Sequence, residues 1–116
     1  MKTGVAYGAV LVGLEPRVVK VTATPSKGAG ITITGMPEAA ARETFVRVVP
    51  VVRDSFVTGG FDVVVEGLPD KVSTAQLDLA VLVAILRTHS ATSRFIGEEA
   101  VFVGELELSG YAVRPV

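Results

Sequence analysis

At 116 residues and 49% hydrophobic content, the chain has material for one compact core and lies in the size range of a single domain. Its 11 basic and 12 acidic residues leave a net charge of −1, without the basic excess of a phosphate-binding surface, which argues against strong autonomous nucleic-acid binding. No cysteine and a single histidine exclude disulfides, thiol catalysis and zinc sites built from Cys and His.

The apolar run over residues 5–14 follows Lys2 and has about the ~7–15-residue length of a signal-peptide core. Gly8 and Gly13 interrupt it and Glu15-Pro16-Arg17 closes it, so it reads as a strand. It is also too short for a membrane span, which needs ~20 residues. With nothing demanding an oxidising compartment, the expected location is the cytoplasm, with no membrane partner.

Residues 5–12 form the first predicted strand and residues 17–24 the second, a β-branched run, with Glu15-Pro16 as the turn between them. Pro25-Ser26-Lys27-Gly28 punctuates the chain again. Residues 30–34 alternate isoleucine with threonine as a short third strand.

A helix then opens at Met36-Pro37-Glu38, where proline suits the first turn and Glu38 faces the positive end of the helix dipole. Phe45, Val48, Val49, Val52 and Phe56 recur at spacings of three and four as its apolar stripe. Glu38 with Arg42, and Glu43 with Arg47, fall at i,i+4 on its solvated side. Pro50 breaks the pattern and predicts a kink or an end near Val49, with any second half reaching Ser55.

Gly59-Gly60 turns into a fourth strand over residues 61–66, whose Val63-Val64-Val65 run predicts burial on both faces or a central place in a sheet. After Gly67-Leu68-Pro69-Asp70, Ser73-Thr74-Ala75-Gln76 has capping-box spacing, with Val72 and Leu77 placed as a hydrophobic staple. The second helix, residues 77–86, is apolar all round except at Asp78, as befits the best-protected element of a core. A polar loop over residues 89–94 and a connector over residues 95–99 lead to a strand over residues 100–108, with Glu105 and Glu107 on a solvated face. Ser109-Gly110 turns it into a last strand over residues 111–116. The predicted fold is therefore α+β, a two-layer domain of order β-β-β-α-β-α-β-β, with a mixed sheet and both helices on one face.

This layout, with Gly28, the Gly35-Met36-Pro37-Glu38 helix start, Glu43, Leu77-Asp78-Leu79, and Gly104-Glu105-Leu106 leading to Gly110 and Arg114-Pro115-Val116, resembles the N-terminal domain of bacterial magnesium-chelatase-like competence ATPases. The resemblance covers nearly the whole chain. It implies a fold shared with the proteolytic domain of Lon proteases and with a small-ribosomal-subunit protein domain. The sequence departs from the family between the fourth strand and second helix, where residues 64–75 keep neither the usual asparagine nor the paired glycines of Pro-x-Asp-x-Pro-Lys-Glu-Gly-Gly, and at Thr22, where an acidic residue is typical.

An ATPase needs a glycine-rich loop ending in Gly-Lys-Ser/Thr, and the sequence holds none; Gly28-Ala29-Gly30 reads as turn glycines. A Lon-like Ser-Lys dyad needs a serine near the second helix's N-terminus, where Leu77 stands at the position resembling the nucleophile's. The remaining candidate pair is Ser73 with Lys71, and capping accounts for Ser73. Asp78 is a candidate buried acid, read first as a polar anchor accepting nearby backbone or hydroxyl hydrogen bonds. Glu43 joins Ser73 and Asp78 as a candidate through the resemblance. His89 reads as a helix cap and Glu98-Glu99 as solvated surface.

The leading expectation is a non-catalytic accessory domain, needing no cofactor or metal, whose partner is an AAA+ ATPase module in cis or in trans. Homo-oligomerisation is a further possible association, and nucleic acid is met only indirectly. The alternatives are a stand-alone Lon-like serine hydrolase using Ser73, and a weak nucleic-acid-binding module.

Overall fold

The computed structural model describes residues 2–55, 57–89 and 100–106, and the backbone of 113 and 114. Strands β1 (Gly4–Val12) and β2 (Glu15–Ser26) form an antiparallel hairpin, followed by β3 (Ile31–Thr34), α1 (Glu38–Arg53), β4 (Gly60–Glu66), α2 (Asp78–Leu86), β5 (Glu105–Leu106) and β6 (Val113–Arg114). The order of elements is the expected one. The first four strands make one mixed sheet in the order β1-β2-β4-β3, with β3 parallel to β4, while β5 and β6 form a separate antiparallel ladder.

Val12 pairs with Glu15, so the hairpin turn is Gly13-Leu14 rather than the expected Glu15-Pro16. Gly13 has φ +63° at the first loop position, the sign that a two-residue type II′ turn requires there. Both prolines then fall inside β2, where a missing N–H is tolerated because one flanking strand has ended. β4 reaches back only to Lys20, short of Pro16, and β1 begins opposite Ala23, short of Pro25.

Burial alternates with the pleat. Ala6, Val10, Val19, Val21, Ala23, Phe61, Val63 and Val65 are buried on one face, and both helices cover that face. Val64 is 40% exposed, so β4 is central in the sheet but buried on one side only, which corrects the two-faced alternative drawn from its valine run. α2 lies closest to β1 because Gly4 and Gly8 face it without side chains. A Cβ on Gly4 would stand 2.0 Å from the Ala84 carbonyl oxygen, and one on Gly8 2.7 Å from Leu77 Cδ2.

α1 continues through Pro50 to Arg53, so the early end expected near Val49 does not occur and the second half runs on almost to the expected Ser55. The bond that Pro50 cannot donate would have gone to the carbonyl of Val46, which sits on the exposed side of the helix, where water can take its place. Its buried row is Thr44, Val48 and Val52 rather than the stripe starting at Phe45, which is partly exposed; Phe56 lies outside the described residues. α2 buries Asp78 and every residue from Ala80 to Ile85, as its all-round apolar sequence requires. With Phe61, Leu77 and Val48 it forms the centre of the core.

Among the described residues of the expected strand over 100–108, Glu105 and Leu106 alone are paired as a strand, although Val101 bridges Tyr7 in parallel. The pairing of Glu105 with Arg114 and Leu106 with Val113 has the register of the expected closing hairpin. Its turn, Ser109-Gly110, lies outside the described residues, as does Glu107.

Candidate functional site

Asp78 opens α2 yet does not cap it. A 3-10 turn, Ala75–Leu77, precedes the helix, and neither element has a side-chain cap. The segment leading into β5 supplies the partner instead: Leu79 donates its N–H to the Gly104 carbonyl at 3.1 Å, and Gly104 donates to the Gln76 carbonyl at 3.0 Å. This leaves the Asp78 carboxylate free to turn inward.

There it meets two other elements. Arg47 of α1 donates from Nε to Asp78 Oδ2 at 2.5 Å and from Nη2 to Oδ1 at 3.2 Å, and the backbone N–H of Leu106 donates to Oδ2 at 3.0 Å. The carboxylate has no solvent exposure and the Arg47 side chain has 13%. A buried carboxylate is tolerable only when paired and hydrogen-bonded, and the two-pronged guanidinium contact with one amide meets both conditions. The hydrogen bonds with Asp78 raise the Arg47 pKa above its ordinary value; desolvation opposes them, and the nearby charges of Asp78, Glu105 and Glu43 assist. Chemically, the arrangement is a clasp joining α1, α2 and β5.

Asp78 is thus the polar anchor that its sequence setting suggested, but Arg47 was missed as its partner. The expected i,i+4 pairing of Glu43 with Arg47 on the solvated side is corrected accordingly. Glu38 and Arg42 do pair as expected, 3.2 Å apart and exposed. The signal for Arg47 lay in its place on the helix: 44, 47, 48, 51 and 52 share one face, so Arg47 stands in the inward row beside Val48. A fully buried acid then calls for a cation from that row.

The three candidate residues do not converge. Glu43 is exposed on α1 and reaches the clasp only through its field on Arg47. Ser73 is exposed ahead of the 3-10 turn, and the residue at the start of that turn is Thr74, which makes no side-chain cap hydrogen bond, so the capping-box reading is corrected. Among the described residues, no hydrogen bond links Ser73 to Lys71. Ser73→Ala should therefore change unfolding stability by less than about 0.5 kcal/mol in urea titration, where loss of a working cap costs about 1 kcal/mol. His89 donates its backbone N–H to the Leu86 carbonyl at the end of α2. Arg87, not singled out from sequence, is buried; it donates from Nη1 to the Val5 carbonyl at 2.7 Å and lies 5.2 Å from the centre of the Phe102 ring. Among the described residues, no group of three His, Asp or Glu side chains is placed to hold a metal ion, and no helix is long and apolar enough to cross a membrane.

Residues 19–116 match the family model described as subunit ChlI of Mg-chelatase, which takes in β2 from Val19 onward and every element after it. The chain belongs to this ChlI family. Among solved structures, one that is similar to this member of the ChlI family is the crystal structure of ttk003000868 from Thermus thermophilus, 15% identical over 79% of the chain, with a TM-score of 0.47. The chain spans 16% of the length of that protein. No curated protein has significant similarity to it.

Proposed function

We propose that this chain is a non-catalytic accessory domain of a magnesium-chelatase-like ATPase of the competence type, which handles DNA, and that it works by docking on an AAA+ ATPase module in cis or in trans. One observation carries the reading: the ChlI-family match runs over residues 19–116, while the chain has no glycine-rich loop ending in Gly-Lys-Ser/Thr to cradle a nucleotide phosphate. The use of Asp78, the one fully buried carboxylate among the described residues, in an ion pair supports a scaffold over a reaction centre. The Lon-like kinship of the fold belongs to the same proposal. Contact with nucleic acid then runs through the ATPase, in keeping with the net charge of −1.

Size-exclusion chromatography with light scattering, on the chain alone and mixed with its cognate AAA+ module, tests the docking. The expected result is co-elution and an altered ATP turnover by the module. Separate elution at high micromolar concentration would sink the reading, as would covalent capture of Ser73 by a serine-directed phosphonate, seen as a mass increase on the intact chain.

A further inference from the structure

We propose that the outer edge of β3 pairs with the same edge of a second copy of this chain, joining two sheets across a two-fold axis with the two α1 helices side by side above the joint. This inference does not depend on the ATPase reading.

The sheet's edges are treated differently. On β1, the Val5 carbonyl is taken by Arg87 Nη1 at 2.7 Å, and the Tyr7 carbonyl by the Phe102 N–H at 2.8 Å. Where β2 runs past the end of β4, Pro16 has no N–H to offer an incoming strand. Among the described residues β3 has neither protection: Ile31–Thr34 contains no proline and no charge, and in the sheet it has β4 on one side only. The Phe61 N–H bonds to the Gly30 carbonyl at 3.0 Å, and backbone alternation from that point turns the polar groups of Ile31 and Ile33 away from β4. Natural sheets guard such edges, so an edge left bare is a place for strand pairing.

An apolar groove runs beside this edge. Ile31, Ile33, Ala41 and Phe45 line it together with Thr32, and Glu38 and Arg42 form its rim. The rim identifies the occupant. It carries one acid and one base, one helical turn apart and both exposed, so its net charge is zero and a partner of either sign gains nothing from it. Under a two-fold axis that sets the pair against itself, however, Glu38 can exchange its own Arg42 for the partner's, and Arg42 its own Glu38 for the partner's. This is the self-complementarity that an isologous contact requires.

Sedimentation velocity over a concentration series tests the pairing through charge reversal. The wild-type chain should show a monomer–dimer equilibrium. R42E makes the rim wholly acidic and E38R makes it wholly basic, so each alone should dimerise about ten-fold or more weakly than wild type, while their equimolar mixture recovers the dimer. Both side chains are exposed, and circular dichroism should show each variant folded. Hydrogen exchange on the wild-type chain should find the Ile31 and Ile33 amides protected as concentration rises. A wild type that stays monomeric overturns the proposal and leaves the edge to a strand from another protein. Single variants that dimerise like wild type, or a mixture that stays monomeric, overturn it too.

Discussion

Asp78→Ala should destabilise the domain by about 3–5 kcal/mol, a large share of the roughly 5–15 kcal/mol that holds a domain of this kind together. The substitution removes one carboxylate but leaves two groups without partners: the Arg47 guanidinium, 13% exposed, and the Leu106 N–H. An uncompensated buried cation is the larger cost, and an orphaned amide adds about 1–3 kcal/mol within that total. Arg47→Met should cost a similar amount, since it strands a carboxylate with no solvent exposure. The double variant Asp78→Leu with Arg47→Met should recover much of the loss, because replacing both members of a buried pair with apolar groups removes the desolvation penalty along with the attraction. Urea unfolding of the wild type, Asp78→Leu, Arg47→Met and their double variant forms the double-mutant cycle, with Asp78→Ala measured beside it. Hydrogen exchange adds a local readout: in Asp78→Ala the Leu106 amide should exchange before the amides of β2 and β4. A loss below about 1 kcal/mol in both single variants would mean that the clasp contributes little to folding.

Gly35→Ala should be nearly as damaging, for a backbone reason. Gly35 has φ +92°, which L-residues rarely adopt, and a Cβ there would stand 2.0 Å from the Val65 carbonyl oxygen and 3.1 Å from its nitrogen. These are backbone atoms of the central strand, so no rotamer change can relieve the contact. The strain of the conformation and the forced shift of β4 together suggest about 3 kcal/mol or more. Gly59→Ala is the matched control: Gly59 has φ +100°, but nothing lies within 4 Å of an added Cβ. That variant should lose about 1 kcal/mol from conformational strain alone. Equal thermal shifts in the two variants would show that the approach to Val65 does not decide the cost.

Much of the fold was legible because strand and helix periodicity is written in neighbouring residues. The alternation through Ile31 and Ile33, the β-branched run of β2 and the apolar run of α2 each announce their element within about ten positions. Misreadings arose where a local signal competed with a distant partner. Glu15-Pro16 has turn chemistry, but Gly13 takes the turn because it accepts the positive φ and leaves Pro16 beyond the reach of β4. Pro50 carries a helix-breaking signal, yet one lost bond on the solvent side does not end a helix whose other face is packed. Ser73 has a cap's spacing, but the turn starts one residue later, after Thr74, and the carbonyl of Gly104 comes from far along the chain to take the Leu79 N–H at the start of α2.

The same division runs through the candidate site. That Asp78 is an acid set in an apolar helix could be read from the residues around it, and so could the absence of a phosphate loop, because both are properties of contiguous sequence. The choice of Arg47 over Glu43 as the residue that matters, and the meeting of α1, α2 and β5 at one carboxylate, belonged to the tertiary structure alone. Local spacing can place Arg47 within reach of Glu43, four residues away, but only packing withdraws water from Asp78 and makes a counter-charge 31 residues distant worth more than a solvated neighbour.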